Sequence, residues 1–167
     1  MPSMLSSVVL RLRFLLFDVD GVLTDGRLYY VGDEVAVAFD TRDGLAVRRA
    51  REAGLGMGLL SARRDSPAVE RRAADLGFDE VLLGCRDKAA AFADLLERQG
   101  LDASEVAYVG DDLVDLPVLR AAGLSAAPAD AVQEVRDNVD LVLDARGGRG
   151  AARELVDRII EALGPVS

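Results

Sequence analysis

Short apolar runs alternate with segments of helical period along this chain from Leu12 to its carboxyl end. Leu12–Phe17, Gly56–Leu60, Glu80–Leu83 and Val106–Val109 are of strand length and mostly apolar, as expected of strands buried on both faces. Between them the apolar positions fall at helical spacing. Asp43–Ala53 carries Leu45, Ala46, Val47 and Ala50 on such a pattern and meets Gly54 as its stop. Ser66 and Pro67 predict an N-cap and a first-turn proline for a helix that runs to about Leu76 and ends at Gly77. Asp87–Gln99 closes at Gly100, and Asp115–Ala122 at Gly123. Leu124–Ala126 and Leu141–Leu143 read as short strands, Asp130–Arg136 as a helix between them, and Gly150–Leu163 as a closing amphipathic helix. This alternation predicts an α/β fold: a doubly wound, Rossmann-like parallel sheet with helices on both faces. One segment departs from it. The β-rich arms Arg27–Val31 and Val35–Phe39, joined by Gly32-Asp33-Glu34, predict a hairpin inserted after the first strand.

The chain has 167 residues, the size of one ordinary domain, and shows no linker or internal repeat, so residues 1–167 are read as a single unit. Residues 1–10 precede the alternation and are expected to be poorly ordered. With 29 acidic against 20 basic residues, the net charge of -9 argues against a broad nucleic-acid-binding face. A small anionic substrate stays open, because a bound cation can invert the local field. There is no histidine and one cysteine, Cys85, which removes histidine-based hydrolases, histidine-ligated metal sites and intrachain disulfides. Neither a secretory leader nor an apolar run of bilayer length is visible, so a cytoplasmic protein without a membrane partner is expected.

The polar residues that interrupt this pattern gather after strands, where open parallel sheets bind their ligands. Asp18-Val19-Asp20-Gly21 follows the first strand, Ser61 the second, and Gly110-Asp111-Asp112 the fourth, with Asp115 in the next turn. Lys88, the one lysine, begins the helix after the third strand. Taken alone, any of these carboxylates could be a helix cap. Several at one sheet edge repel one another unless a cation lies among them, and magnesium suits a donor set made only of oxygens. The fitting chemistry is phosphoryl transfer through an aspartate: Asp18 as nucleophile, Asp20 as acid and then base, Ser61 and Lys88 holding the phosphoryl group.

Phe17-Asp18-Val19-Asp20-Gly21-Val22-Leu23-Thr24-Asp25-Gly26, Ser61, Lys88 and Gly110-Asp111-Asp112-Leu113-Val114-Asp115 resemble the four ordered motifs of the haloacid dehalogenase superfamily of phosphatases. The Arg27–Phe39 hairpin, Arg42-Asp43-Gly44 and Gly147-Gly148-Arg149-Gly150 extend the resemblance to its small cap-less enzymes that dephosphorylate 3-deoxy-D-manno-octulosonate 8-phosphate, a lipopolysaccharide precursor. That resemblance implies magnesium on the side chains of Asp18 and Asp111 and the backbone carbonyl of Asp20, with Asp112 and Asp115 in support. It implies a phosphorylated sugar acid as substrate, with Thr24 and the arginines near it, and a homotetramer in which hairpins pair across subunits.

After Ser61 the chain departs from the family pattern. Ser61-Ala62-Arg63-Arg64 lacks the expected glycine and carries one extra residue before Val69-Glu70-Arg71-Arg72, so Arg63, Arg64 and Arg72 all remain candidates for the substrate carboxylate. A related branch acting on nine-carbon sialic-acid-type phosphates carries Glu at the loop arginine, so that substrate class is the alternative. A phospho-acceptor receiver module shares the same parts in another order. Lys88 here precedes Asp111, and an acid/base two residues after the nucleophile suits turnover and not signalling.

Overall fold

The computed structural model describes residues 4–164. Six strands, β1 (Phe14–Phe17), β4 (Gly56–Leu60), β5 (Glu80–Leu82), β6 (Val106–Val109), β7 (Leu124–Ala127) and β8 (Leu141–Val142), form one sheet in the order β5-β4-β1-β6-β7-β8. Every pairing in it is parallel. β1 lies between β4 and β6 with Phe14 opposite both Gly56 and Val106, which buries all four of its side chains.

Period-2 alternation divides those side chains between two cores. Leu15 and Phe17 face α1 (Met4–Val9), α2 (Thr41–Glu52), α3 (Pro67–Leu76) and α7 (Ala151–Leu163). Phe14 and Leu16 face α4 (Lys88–Gln99), α5 (Leu116–Ala121) and α6 (Gln133–Arg136). The sheet is therefore doubly wound, as the alternation predicts.

Several boundaries differ from the sequence expectation. Within residues 1–10, Met4–Val9 forms a short helix whose Val9 is buried, and residues 1–3 lie outside the described residues. Helix α2 begins at Thr41 and not Asp43, because the Asp40 side chain accepts from the Arg42 N–H at 2.8 Å and supplies the cap. Ser66 stands at the start of α3 but its side chain makes no capping bond. Helix α5 is preceded by a 3₁₀ turn over Leu113–Asp115, and α6 is confined to Gln133–Arg136.

The hairpin comprises β2 (Tyr29–Val31) and β3 (Glu34–Ala36) and forms a separate two-stranded sheet. Val31 pairs with Glu34, so the connecting loop is Gly32-Asp33, one residue shorter than the sequence suggests. Its side chains are exposed throughout both strands. No helix among the described residues is long and apolar enough to cross a membrane.

Burial sets the expected cost of core truncation. Leu15→Ala, at a fully buried position, should lower unfolding free energy by about 2–5 kcal/mol, whereas Leu10→Ala, at a largely exposed one, should stay within about 0.5 kcal/mol. Urea denaturation of the two variants checks this, and equal losses would overturn the assignment of Leu15 to the core.

Candidate active site

The sheet order reverses beside β1: β4 and β5 lie to one side, β6 to β8 to the other. The crevice between the carboxyl ends of β1 and β6 is where such sheets bind ligands. There a cleft of about 280 Å³ is lined by Asp18, Asp20, Ser61, Arg63, Lys88 and Asp111, among others. A larger groove of about 680 Å³ opens around Arg13, Arg51 and Asp79 at the opposite end of the sheet, but these charges belong to surface ion pairs, Arg51 with Asp79 and Arg13 with Glu105. The groups able to do chemistry converge on the smaller cleft.

Asp18 directly extends β1, its N–H donating to the Val109 carbonyl at 2.9 Å. Its Oδ1 accepts from the Val19 N–H at 2.7 Å and lies 3.0 Å from Lys88 Nζ. Lys88 is the first residue of α4, whose start is fixed by the Asp87 side chain accepting from the Ala90 N–H. Only 3% of Lys88 is exposed, and its Nζ lies 2.6 Å from Asp115 Oδ1. The same oxygen accepts from the Tyr108 hydroxyl at 2.6 Å, while Oδ2 accepts from the Asp111 and Asp112 N–H groups at 3.0 and 3.2 Å. Asp115 is thus fully occupied in holding Lys88 and the turn after β6. Asp112 caps that turn through the Leu113 N–H at 2.7 Å.

Asp20 and Arg63 form a two-pronged ion pair, with Nε and Nη2 each 2.8 Å from a carboxylate oxygen. The Arg63 N–H donates to Ser61 Oγ at 3.1 Å, and the Ser61 N–H ties β4 to β5 through the Leu82 carbonyl. Of the three candidate arginines, only Arg63 lines the cleft. Arg64 is exposed and its stem runs beside Gly84. Arg72 lies over the Phe39 ring and donates to the Asp40 carbonyl, between α2 and α3. Further along this loop Asp65 takes φ +43°, the one positive φ outside glycine among the described residues. Thr24 is fully buried. Its Oγ1 accepts from the Gly26 N–H at 3.2 Å and donates to Asp20 Oδ1 at 3.4 Å, so it braces the loop.

Tyr108 and Asp130 support the site without a signature motif of their own, and Asp43 belongs to the Arg42-Asp43-Gly44 match. Tyr108 is the polar member of an otherwise apolar strand, which was the available signal. Asp43 reaches from α2 to accept from the Arg153 N–H at 2.9 Å, supplying the capping acceptor that Gly150 cannot. Asp130 accepts from the Gly147 N–H at 2.9 Å. Gly147 and Gly148 then lie directly on the loop after β1: a Cβ on Gly147 would overlap the Gly21 carbonyl, and the Gly148 N–H donates to the Val22 carbonyl at 2.8 Å. Gly21 itself, at φ +80°, leaves no room for a side chain beside the Asp111 carboxylate.

Charge is crowded here. Burial, followed by the nearby Asp115, raises Asp18 to about 7 against the pull of Lys88. Burial and the charges of Asp18, Asp115 and Asp112 raise Asp111 to about 8. Desolvation would lower Lys88, but Asp18 and Asp115 together hold it above its ordinary value. Carboxylate oxygens of Asp18, Asp111 and Asp115 lie within 4.8 Å of one another. With Asp115 already saturated by donors, Asp18 and Asp111 are the pair free to take a cation, and an all-oxygen set fits a hard divalent ion.

A parallel sheet with an aspartate on its first strand, a lysine after the third and acidic groups after the fourth defines a hydrolase fold whose chemistry is phosphoryl transfer. The chain belongs to the haloacid dehalogenase-like hydrolases, whose family model matches residues 33–123. It is 45% identical over 157 residues to the 3-deoxy-D-manno-octulosonate 8-phosphate phosphatase of Haemophilus influenzae, covering 93% of this chain and 87% of that one. The cobalt-bound structure of the Haemophilus influenzae enzyme superposes with a TM-score of 0.90 at 44% identity, covering 94% of this chain and 92% of that one. The Moraxella catarrhalis enzyme, solved with magnesium, phosphate and the sugar acid, superposes with a TM-score of 0.91 at 31% identity, covering 95% and 91%.

The raised carboxylates have a sign that can be measured. Their metal-free folded-state values, about 7 and about 8, exceed the unfolded value of about 4, so the native state binds more protons in between. Metal-free stability should therefore fall as pH rises from about 4 to about 8. A divalent cation competes with those protons, so Mg²⁺ should raise the melting temperature more at about pH 8 than at about pH 5. Equal stabilisation at both, read by scanning fluorimetry after chelation and re-addition, would remove Asp18 and Asp111 as ligands.

Proposed function

We propose that this chain hydrolyses a phosphorylated sugar acid, 3-deoxy-D-manno-octulosonate 8-phosphate, through an aspartyl-phosphate formed on Asp18. The observation that carries this reading is Asp18 at the mouth of β1, 3.0 Å from a buried Lys88, with Asp20 two residues on and Arg63 in the same cleft. The names and bound ligands of the relatives support the substrate.

Asp18 attacks phosphorus as the bond to the sugar oxygen breaks, and Asp20 gives its proton to the departing alkoxide. A water then loses its proton to Asp20 as its oxygen attacks phosphorus and the bond to Asp18 breaks, returning free Asp18 and inorganic phosphate. Lys88 offsets the charge of Asp18 and the phosphoryl group, and Ser61 with backbone N–H groups receives the non-bridging oxygens. The side chains of Asp18 and Asp111 and the carbonyl of Asp20 would hold Mg²⁺, which supplies charge neutralisation on the phosphoryl oxygens. Arg63 would receive the substrate carboxylate, which favours the eight-carbon acid over the nine-carbon class, where the related branch carries Glu.

A magnesium-dependent phosphate-release screen over eight- and nine-carbon sugar-acid phosphates and hexose phosphates tests the substrate. Preference for a hexose phosphate would overturn it. Asp18→Asn should lower kcat by at least about 10³-fold, and Asp20→Asn by about 10²–10⁴-fold, both with unchanged melting behaviour. Activity of Asp18→Asn within about tenfold of wild type would exclude the covalent route.

The hairpin supports a homotetramer. Leu28, Tyr29, Tyr30, Val31 and Val35 are exposed on a two-stranded ribbon that is marginal alone and has unpaired edges. Pairing with copies of itself would cover them and wall the open cleft. Light scattering should show a tetramer, and removal of residues 28–38 a smaller species that keeps activity on an aryl phosphate better than on the sugar phosphate. A deletion variant that stays tetrameric would refute the hairpin's part.

A further inference from the structure

Tyr108 is a polar side chain where packing alone asks for none. It lies fully buried on β6, opposite Leu16 of β1, in the same core as Phe14, Leu60 and Phe92. A phenylalanine would fill that volume without burying a hydroxyl, and a hydroxyl taken out of water costs stability unless its hydrogen bonds are made. Here both are made to groups of the active site. The hydroxyl donates to Asp115 Oδ1 at 2.6 Å and accepts from Lys88 Nζ at 3.4 Å. An ammonium has three N–H donors, and Lys88 has three acceptors: Asp115 Oδ1 at 2.6 Å, Asp18 Oδ1 at 3.0 Å and the Tyr108 hydroxyl. Neither Asp115 nor Tyr108 lines the cleft, whereas Asp18 does. Two contacts, joined by their own hydrogen bond, thus hold the ammonium from behind, and the third N–H is turned to Asp18.

We propose that Tyr108 is a positioning residue for phosphoryl transfer, one that fixes the rotation of the Lys88 ammonium so that an N–H stays aimed at the Asp18 edge of the cleft. The inference rests on the reading of Asp18 as phosphoryl acceptor and adds a residue that acts through the lysine. Negative charge builds on the oxygens of the phosphoryl group as it reaches Asp18, and a donor already aimed there stabilises that charge without reorganising. With the hydroxyl removed, Lys88 keeps its charge and its bond to Asp115, so the attraction for a phosphate ester in the ground state persists. The direction of the N–H is what goes. The loss therefore falls on kcat and leaves KM in place.

The test uses the full chain with saturating Mg²⁺ and p-nitrophenyl phosphate, so it does not depend on which sugar phosphate is the substrate. Tyr108→Phe, which keeps the ring and removes the oxygen, should lower kcat by about tenfold or more and leave KM within about twofold. Two inhibitors separate the states: inorganic phosphate resembles the ground state, and orthovanadate, five-coordinate on the Asp18 carboxylate, resembles the transition state. The inhibition constant of vanadate should rise in step with the loss of kcat, and that of phosphate should stay within about twofold. A tyrosine that only fills the core would shift the melting temperature and move neither comparison. A kcat within about twofold of wild type, or equal weakening of vanadate and phosphate, overturns the proposal. Tyr108→Leu, which removes the ring as well, should melt lower than Tyr108→Phe yet lose kcat by a similar factor; a kcat that tracks the melting temperature across the two variants assigns Tyr108 to packing and overturns it too.

A crystal structure of the wild-type enzyme with Mg²⁺ and orthovanadate gives an independent reading that needs no variant. Lys88 Nζ should keep its contact with the Tyr108 hydroxyl while donating toward the vanadate on Asp18; an ammonium turned away from that hydroxyl overturns the proposal. The reading of Asp18 fails separately, if Asp18→Asn keeps wild-type activity, whatever Tyr108→Phe does to kcat.

Discussion

One ammonium group holds this site together. Lys88 Nζ lies 3.0 Å from Asp18 and 2.6 Å from Asp115, almost without solvent, and it is the one lysine in the chain. The Asp18, Asp115 and Asp111 carboxylates share the same edge of the sheet, so mutual repulsion would push it apart if that charge were missing. Removing one partner of a buried ion pair typically costs about 3–5 kcal/mol, because the others stay buried without compensation. β1, the turn after β6 and the first turn of α4 must therefore close on one another together. The Tyr108 hydroxyl and two backbone N–H groups complete Asp115, so the ammonium is aimed by a fully hydrogen-bonded carboxylate.

Much of this was legible in the sequence because it is local. Strand length and period place Asp18, Ser61 and Asp111 just past the carboxyl ends of their strands, and the lysine at the start of its helix follows from the same periodicity. What escaped depends on contacts between distant segments. Nothing near Asp43 in the sequence says that it accepts from Arg153, 110 positions away. Nor does the loop after Ser61 say which arginine turns inward. That was decided by the anchoring of Arg63 to Ser61 and the left-handed turn at Asp65, which carry Arg64 outward and leave Arg72 to α3. The place of Thr24 is of the same kind: a hydroxyl beside the Asp18-Val19-Asp20 motif invites a substrate contact in the sequence, and in the fold it lies buried beneath the loop as an acceptor for the Gly26 N–H.

The cleft and the hairpin follow from the same economy of size. Apart from the two-stranded hairpin, the described residues form one sheet with helices on its two faces, and the cleft at the carboxyl ends of β1 and β6 is open. Openness would let water reach Asp18 once phosphorylated, as the proposed route requires, and would leave selectivity to the few side chains on the rim. Among the described residues lining the cleft, Arg63 and Lys88 are the cations, and Arg63 is the one paired with Asp20.

The contact between Gly147 and the Gly21 carbonyl also bears on the order in which the fold can close. The backbone that seats the Asp20 loop comes from the segment just before α7, 126 positions further along the sequence. A contact of that separation carries a large loop-closure cost, which local pairing of elements does not. Docking of the segment before α7 is therefore what gives the Asp20 loop its backing, and the sheet alone does not seat it.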